Sequence, residues 1–218
     1  MKTGIHFFKT FAMKCLLGAL GLMSLTIFTS CKSHEKKILI YASSTIQADE
    51  SQKNITVTEG TTHYEKELDF SGSDPVSIHI QAPGGAYTLE AKDDGYYIAN
   101  LKNDTVVGSM QRVGLTGSNR VTQDEAIRKT DSLEKLVTGA NVSEANHNYF
   151  IPPGKMVKVT TELNAKIFGP YTSIPAAFDP GSVPELYKFY TNKETREIID
   201  RLKKMTGSSP AAEKEEKK

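Results

Sequence analysis

YTLEAKDDGYYIANLKNDTVVGS, Tyr87–Ser109, is the stretch on which the fold turns. Three runs rich in β-branched and aromatic residues, Tyr87–Ala91, Gly95–Asn100 and Thr105–Ser109, are separated by Lys92-Asp93-Asp94 and by Leu101–Asp104. Asp94-Gly95 and Asn103-Asp104 are turn residues that tolerate left-handed backbone angles. The spacing predicts a three-stranded antiparallel meander, entered through the turn signal Pro83-Gly84-Gly85.

Upstream, Val76, Ile78 and Ile80 alternate with Ser77 and His79, a period of two that assigns His79 to a wet face. Ile55-Thr56-Val57-Thr58 and Ile38–Ala42 (ILIYA) read as further strands, with the polar Ser43–Lys53 between them. Downstream the pattern becomes helical. Thr122 and Glu125 form a capping box, Gly139 marks the stop, and Ala126, Ile127, Leu133, Leu136 and Val137 are the expected buried stripe. Asp124–Arg128, Glu125–Lys129 and Asp131–Lys135 add acid-then-base pairs at helical spacing, each worth about 0.2–0.5 kcal/mol. After the break at Pro152-Pro153-Gly154, Val157, Val159, Thr161 and Leu163 alternate with polar residues, which predicts an antiparallel strand with one face toward water. Gly169–Pro184, with four prolines, reads as an irregular connection, and Glu185–Tyr190 as a helical turn. Thr191 with Glu194 opens a second helix to about Met205, with Ile198, Ile199 and Leu202 inward. The expectation is an α+β fold: an antiparallel, β-rich, meander- or sandwich-like domain with two amphipathic helices in its C-terminal half.

The N-terminus has a different character. Lys2, Lys9 and Lys14 precede an uncharged run, Cys15–Phe28, which ends in Thr29-Ser30-Cys31, and no acid occurs in the first thirty residues. Basic, apolar and small segments in that order form the pattern of a secretory signal peptide. A run of about 14 residues falls short of the roughly 20 that a membrane span needs. The segment resembles bacterial lipoprotein precursors, and the resemblance implies cleavage between Ser30 and Cys31 and acylation of Cys31. Translation from Met1 or from Met13 is compatible with it. The organisation expected is a signal peptide over 1–30, a lipidated tether over 31–37, one α+β domain over 38–206 and a disordered charged tail over 207–218. Lys32 after the cysteine implies, by the same resemblance, the outer membrane of a Gram-negative envelope.

Processing would remove three of the 27 basic residues and none of the 26 acids, leaving 24 against 26. A chain so balanced has no electrostatic footprint for nucleic acid. Of the two cysteines, Cys15 would leave with the leader and Cys31 would be acylated, so stability must come from packing. The 188 remaining residues suffice for one core.

Catalytic motifs do not emerge. His34, His63, His79 and His147 lie outside any HExxH, no GxSxG or phosphate-binding lysine loop occurs, and no acidic loop has the calcium spacing. No metal or cofactor is expected. His147, in Asn146-His147-Asn148-Tyr149, is the best single site candidate. Asp104-Thr105-Val106 and Asp131-Ser132-Leu133 resemble the short sequons of periplasmic O-glycosylation in some Gram-negative bacteria, which makes Thr105 and Ser132 candidates for modification. The functional expectation is a lipid-anchored envelope protein with a non-catalytic binding, scaffold or assembly role. It would be held by membrane lipid through Cys31 and face an envelope protein partner. The alternatives are a small hydrolase, in which His147 or His79 meets an acid and a hydroxyl, and a carrier domain with a deep apolar cavity.

Overall fold

The computed structural model describes residues 34–51, 53–83, 85–111, 122–175 and 177–207. The leader, Ser30, Cys31, residues 112–121 and the tail from Ser208 onward lie outside them. The described chain runs β1 (Glu35–Ala42), β2 (Ile46–Asp49), β3 (Asn54–Val57), β4 (Tyr64–Ser71), β5 (Val76–Ala82), β6 (Gly85–Ala91), β7 (Gly95–Leu101), β8 (Val106–Met110), α1 (Gln123–Val137), β9 (Asn148–Ile151), β10 (Lys155–Thr160), β11 (Lys166–Phe168), β12 (Leu186–Thr191) and α2 (Asn192–Thr206). The expected α+β, β-rich class with helices in the C-terminal half is the one observed. The first strand starts at Glu35, so Glu35–Lys37, assigned to the tether on sequence, are part of it.

Three four-stranded sheets build the domain, ordered β10-β7-β1-β4, β11-β12-β8-β9 and β2-β3-β5-β6. The expected meander is not formed. β6, β7 and β8 are strands as read, but each joins a different sheet. The reason is in β7 itself: all seven residues of GYYIANL are buried. A meander with a wet face would expose half of them, so β7 must lie where both faces are covered. It pairs in parallel with β1, Lys36 opposite Gly95 through Ala42 opposite Leu101, and antiparallel with β10.

Each face of this central pair serves its own core. Ile38, Ile40 and Ala42 of β1 with Tyr97, Ala99 and Leu101 of β7 pack against Ile55, Ile78, Ile80 and Leu89 of the β2-β3-β5-β6 sheet. Leu39, Tyr41, Tyr96 and Ile98 face the opposite way, onto Val106, Tyr149, Ile151, Tyr187 and Phe189. The alternation expected in β3 and β5 is observed, and His79 is exposed.

The helices pack on each other and on β8, β9 and β12. Both capping boxes form as read. The buried stripe of α1 is Ala126, Thr130, Leu136 and Val137, whereas Ile127 is 47% exposed and Leu133 only half-buried. Thr130 replaces the missing apolar neighbour by donating its hydroxyl to the Ala126 carbonyl at 2.8 Å. Two further readings are corrected. Glu185–Tyr190 forms no helical turn: Tyr187 and Phe189 alternate into the second core, and β12 results. β10 stops at Thr160 rather than running on to Leu163, because Thr161 is already exposed and the chain turns.

Gly108 of β8 lies directly opposite Phe189 of β12, and a Cβ at Gly108 would collide with the Phe189 ring. Gly108→Ala should therefore destabilise the protein by about 1–3 kcal/mol, the usual range for overpacking. Urea unfolding should show a lower midpoint with an unchanged slope.

Candidate functional site

β1 and β7, being parallel, end together at Ala42 and Leu101. The next residues, Ser43, Lys102 and Asn103, line a groove across that end of the domain. One part, of about 480 Å³, is walled by His63, Tyr171, Thr191 and Lys193. An adjoining part of about 690 Å³ continues over Thr58, Pro83 and Tyr87. Both share Ser43, Thr61, Lys102 and Asn103. Ligand sites in open sheets commonly sit outside the carboxyl ends of parallel strands, and the groove has that placement.

Lys102 organises the floor. It is 6% exposed, and its ammonium donates to the Ala42 carbonyl at 2.9 Å and to His63 Nδ1 at 3.2 Å. His63 Nε2 lies 2.6 Å from Glu65 Oε1. A carboxylate on one side and an ammonium on the other are satisfied together only by the Nε2–H tautomer. His63 immediately precedes β4 and Glu65 is its second residue, so the two lie two apart in sequence. Burial lowers the Lys102 pKa, while Glu65, Asp104 and Glu194 oppose the shift.

Aromatic rings enclose the imidazole, with Tyr41 centred 5.9 Å and Tyr171 5.7 Å from it. Tyr171 is 55% exposed and adopts φ +60°, a left-handed conformation that costs a non-glycine residue on the order of 1 kcal/mol. Glu194 holds it there. The carboxylate that completes the α2 capping box also accepts the Tyr171 N–H, at 3.2 and 3.1 Å to its two oxygens. The Tyr171 hydroxyl lies 3.2 Å from that of Thr191. The first amides of α2 are already engaged, Asn192 N–H with the Thr105 carbonyl at 2.8 Å and Lys193 N–H with Asp104 at 3.0 Å.

Lys188 lies behind this floor, 4% exposed, donating to the Gly169 and Phe189 carbonyls with its ammonium 4.2 Å from the Tyr190 ring centre. A Cβ at Gly169 would collide with the Glu65 carboxylate, so glycine there leaves room for the His63 partner.

The residues singled out on sequence lie elsewhere. His147, at φ +50° just before β9, is 3.2 Å from the Tyr187 hydroxyl, which donates to Glu185 at 2.9 Å. It thus meets a hydroxyl and, through it, an acid, but away from the groove's lining. His79 lies on an exposed strand face, 3.1 Å from Thr88 Oγ1. His34 pairs with Asp94 at 2.6 Å at the opposite end of β1. Ser132 is exposed on α1, and Thr105 is half-buried. Cys31 and Ser30 lie outside the described residues. Among the described residues no group of three or more His, Cys, Asp and Glu side chains could hold a metal, and no helix is long and apolar enough to cross a membrane. His63 was missed on sequence, where the His63-x-Glu65 spacing just ahead of β4 was the only local signal for the pair. No family model, curated protein or solved structure matches this chain.

Burial pushes the Lys188 pKa down to about 8 and lowers that of Lys102. An unfolded lysine titrates near 10.4, so between about pH 8 and 10 the unfolded chain holds protons that the folded one has released, and stability rises with pH. Buried tyrosines act in the other direction. Tyr149 is pushed up to about 12, and Tyr41, Tyr96 and Tyr187 are raised too, each mainly by burial. Above about pH 10 the folded state keeps their protons while the unfolded state loses them, so stability falls. Urea midpoints measured against pH should peak near pH 10, and Lys188→Met should flatten the rising limb while leaving the falling one.

Proposed function

We propose that this protein is a lipid-anchored component of a Gram-negative cell envelope, with a non-catalytic role, that binds a ligand or partner in the groove beyond β1 and β7. The observation that carries the reading is the direction of β1. The chain enters the domain at Glu35, four residues after Cys31, and the groove lies past the other end of the same strand, at Ala42. Four residues span at most roughly 14 Å and an eight-residue strand about 25 Å. An acylated Cys31 would thus hold the entry end close to the bilayer while the groove opens away from it, where a partner in the envelope can reach it.

Both ends of β1 are suited to that arrangement. At the entry end Lys36, fully buried, donates to the Gly72 carbonyl at 2.8 Å and meets Asp94 at 3.3 Å. His34 and Lys36 together hold the Asp94 carboxyl below its usual range. The strand is therefore fixed at its first residues, and force from a tether would act on a clamped element. At the groove end, the ring nitrogens of His63 are engaged by Glu65 and Lys102, as in a structural support for a binding surface.

One observation favours a second reading, a small envelope hydrolase: the Ser43 and Thr61 hydroxyls line the same basin as His63. For that chemistry His63 Nδ1 must exchange Lys102 for a hydroxyl proton.

Anchoring itself rests on acyl chains, at about 0.8 kcal/mol per buried CH₂, with two or more chains needed for stable attachment. Cys31→Ser in a Gram-negative host should abolish labelling by radioactive palmitate and move the protein from the membrane to the soluble fraction. Persistence in the membrane fraction with unchanged migration would overturn the lipoprotein reading.

A further inference from the structure

We infer that the groove binds an acidic saccharide chain, one sugar ring stacking on Tyr171 and its carboxylate held between Lys102 and Lys193. The inference deepens the reading above and rests on it only for the location of the site.

Tyr171 is the first observation. A large aromatic ring, more than half exposed, is kept in a left-handed backbone conformation by a carboxylate that accepts its N–H and by a hydroxyl at its phenol. One side of the ring packs against His63 and Lys102, and the strained backbone thereby holds the remaining, exposed part of the ring fixed in the groove lining. A fixed, exposed ring offers the C–H face of a pyranose a flat partner at small entropic cost, since the ring is already ordered.

The cations are the second. Lys102 is more than nine-tenths buried, borders both parts of the groove and is 5.9 Å from the centre of the Tyr171 ring. Three of its neighbours are spoken for: a carbonyl, an imidazole nitrogen and an aromatic face. None of them carries a negative charge. Three carboxylates lie near enough to favour its charged form, those of Glu65, Asp104 (itself in the groove lining) and Glu194, but each is engaged elsewhere: Glu65 with His63, Asp104 with the Lys193 amide, and Glu194 with the Tyr171 and Thr191 amides. A ligand carboxylate approaching from the groove would give the ammonium a direct counter-ion, and Lys193, which lines the same part of the groove, can share it.

The remaining lining is the third. Ser43, Thr61 and Asn103 add hydroxyl- and amide-bearing residues to the lining, which suits a polyhydroxylated ligand, and Tyr87 offers a second ring at its far part. The two adjoining volumes, about 480 and 690 Å³, are each within the range of ligand pockets, and together they fit a short chain better than a single ring.

The test is calorimetric titration of the full-length protein in detergent micelles at low salt. The probes are tetragalacturonate, its methyl ester (the same rings without charge), AMP and inorganic phosphate. Tetragalacturonate should bind at least tenfold tighter than the ester. Lys193→Ala should remove that preference. Tyr171→Asn, which keeps a residue tolerant of the left-handed backbone, should weaken both sugars at least tenfold with an unchanged circular dichroism spectrum. Equal binding of acid and ester, tighter binding of AMP, phosphate binding as tightly as the sugar, or no binding by any probe would each overturn the saccharide assignment. The outcome is independent of anchoring: loss of sugar binding with Cys31 still palmitate-labelled leaves the envelope reading in place, and unlabelled protein that binds the sugar removes only the anchor.

Discussion

The structure depends on one pairing, the parallel contact of β1 with β7. Both strands are apolar on both faces, so neither can lie at a surface. Each must be covered twice, and the two outer sheets are the covers. Odd and even residues of β1 go to different cores, with Ile38 and Ile40 on one side and Leu39 and Tyr41 on the other. Much of the rest follows: β5 and β6 need only one apolar face where they pack on this centre, whereas β8 and β12, covered by the helices on their other side, are buried on both.

A chain without structural disulfides in its described domain must secure the ends of such a centre by other means, and it uses lysine. Lys36 ties the start of β1 to the Gly72 carbonyl, Lys102 ties the end of β7 to the last carbonyl of β1, and Lys188 ties β12 to Gly169. A buried ammonium costs free energy unless its donors are satisfied. Each has a carbonyl just past or at the end of a strand as one partner (Gly72, Ala42 and Gly169), completed by Asp94 for Lys36, His63 for Lys102 and the Phe189 carbonyl for Lys188. The same need places a cation on the groove floor: Lys102 completes the backbone first, and its position beside His63 and Tyr171 follows from that.

Local features were legible because their causes are local. Capping boxes depend on residues three apart, so Thr122–Glu125 and Thr191–Glu194 could be read directly, as could the alternation in β3 and β5. Pairing was not legible. Asp94-Gly95 is a good hairpin signal, yet β6 and β7 part there, because the need to cover both faces of GYYIANL outweighs a turn preference of a few tenths of a kcal/mol. β12 was misread because Lys188 interrupts an aromatic run, and it takes the Gly169 carbonyl, nineteen residues away, together with the Phe189 carbonyl and the Tyr190 ring to make a buried lysine tolerable there. The groove was missed for the same reason. Its residues come from the ends of β1 and β7, the start of β4, the loop at Tyr171 and the cap of α2, and no spacing rule connects them.

The strand that enters first is also the innermost. β1 leads the folded domain, but its partners β4 and β7 and their neighbour β10 all come later in the chain. Folding must therefore wait for distant contacts, which is the condition for slow formation of structure. β4 can pair with one edge of β1 early, but the other edge waits for β7, and β7 in turn for β10. A strand that is both first in the described chain and central in its sheet ties completion of the core to the arrival of β7 and β10.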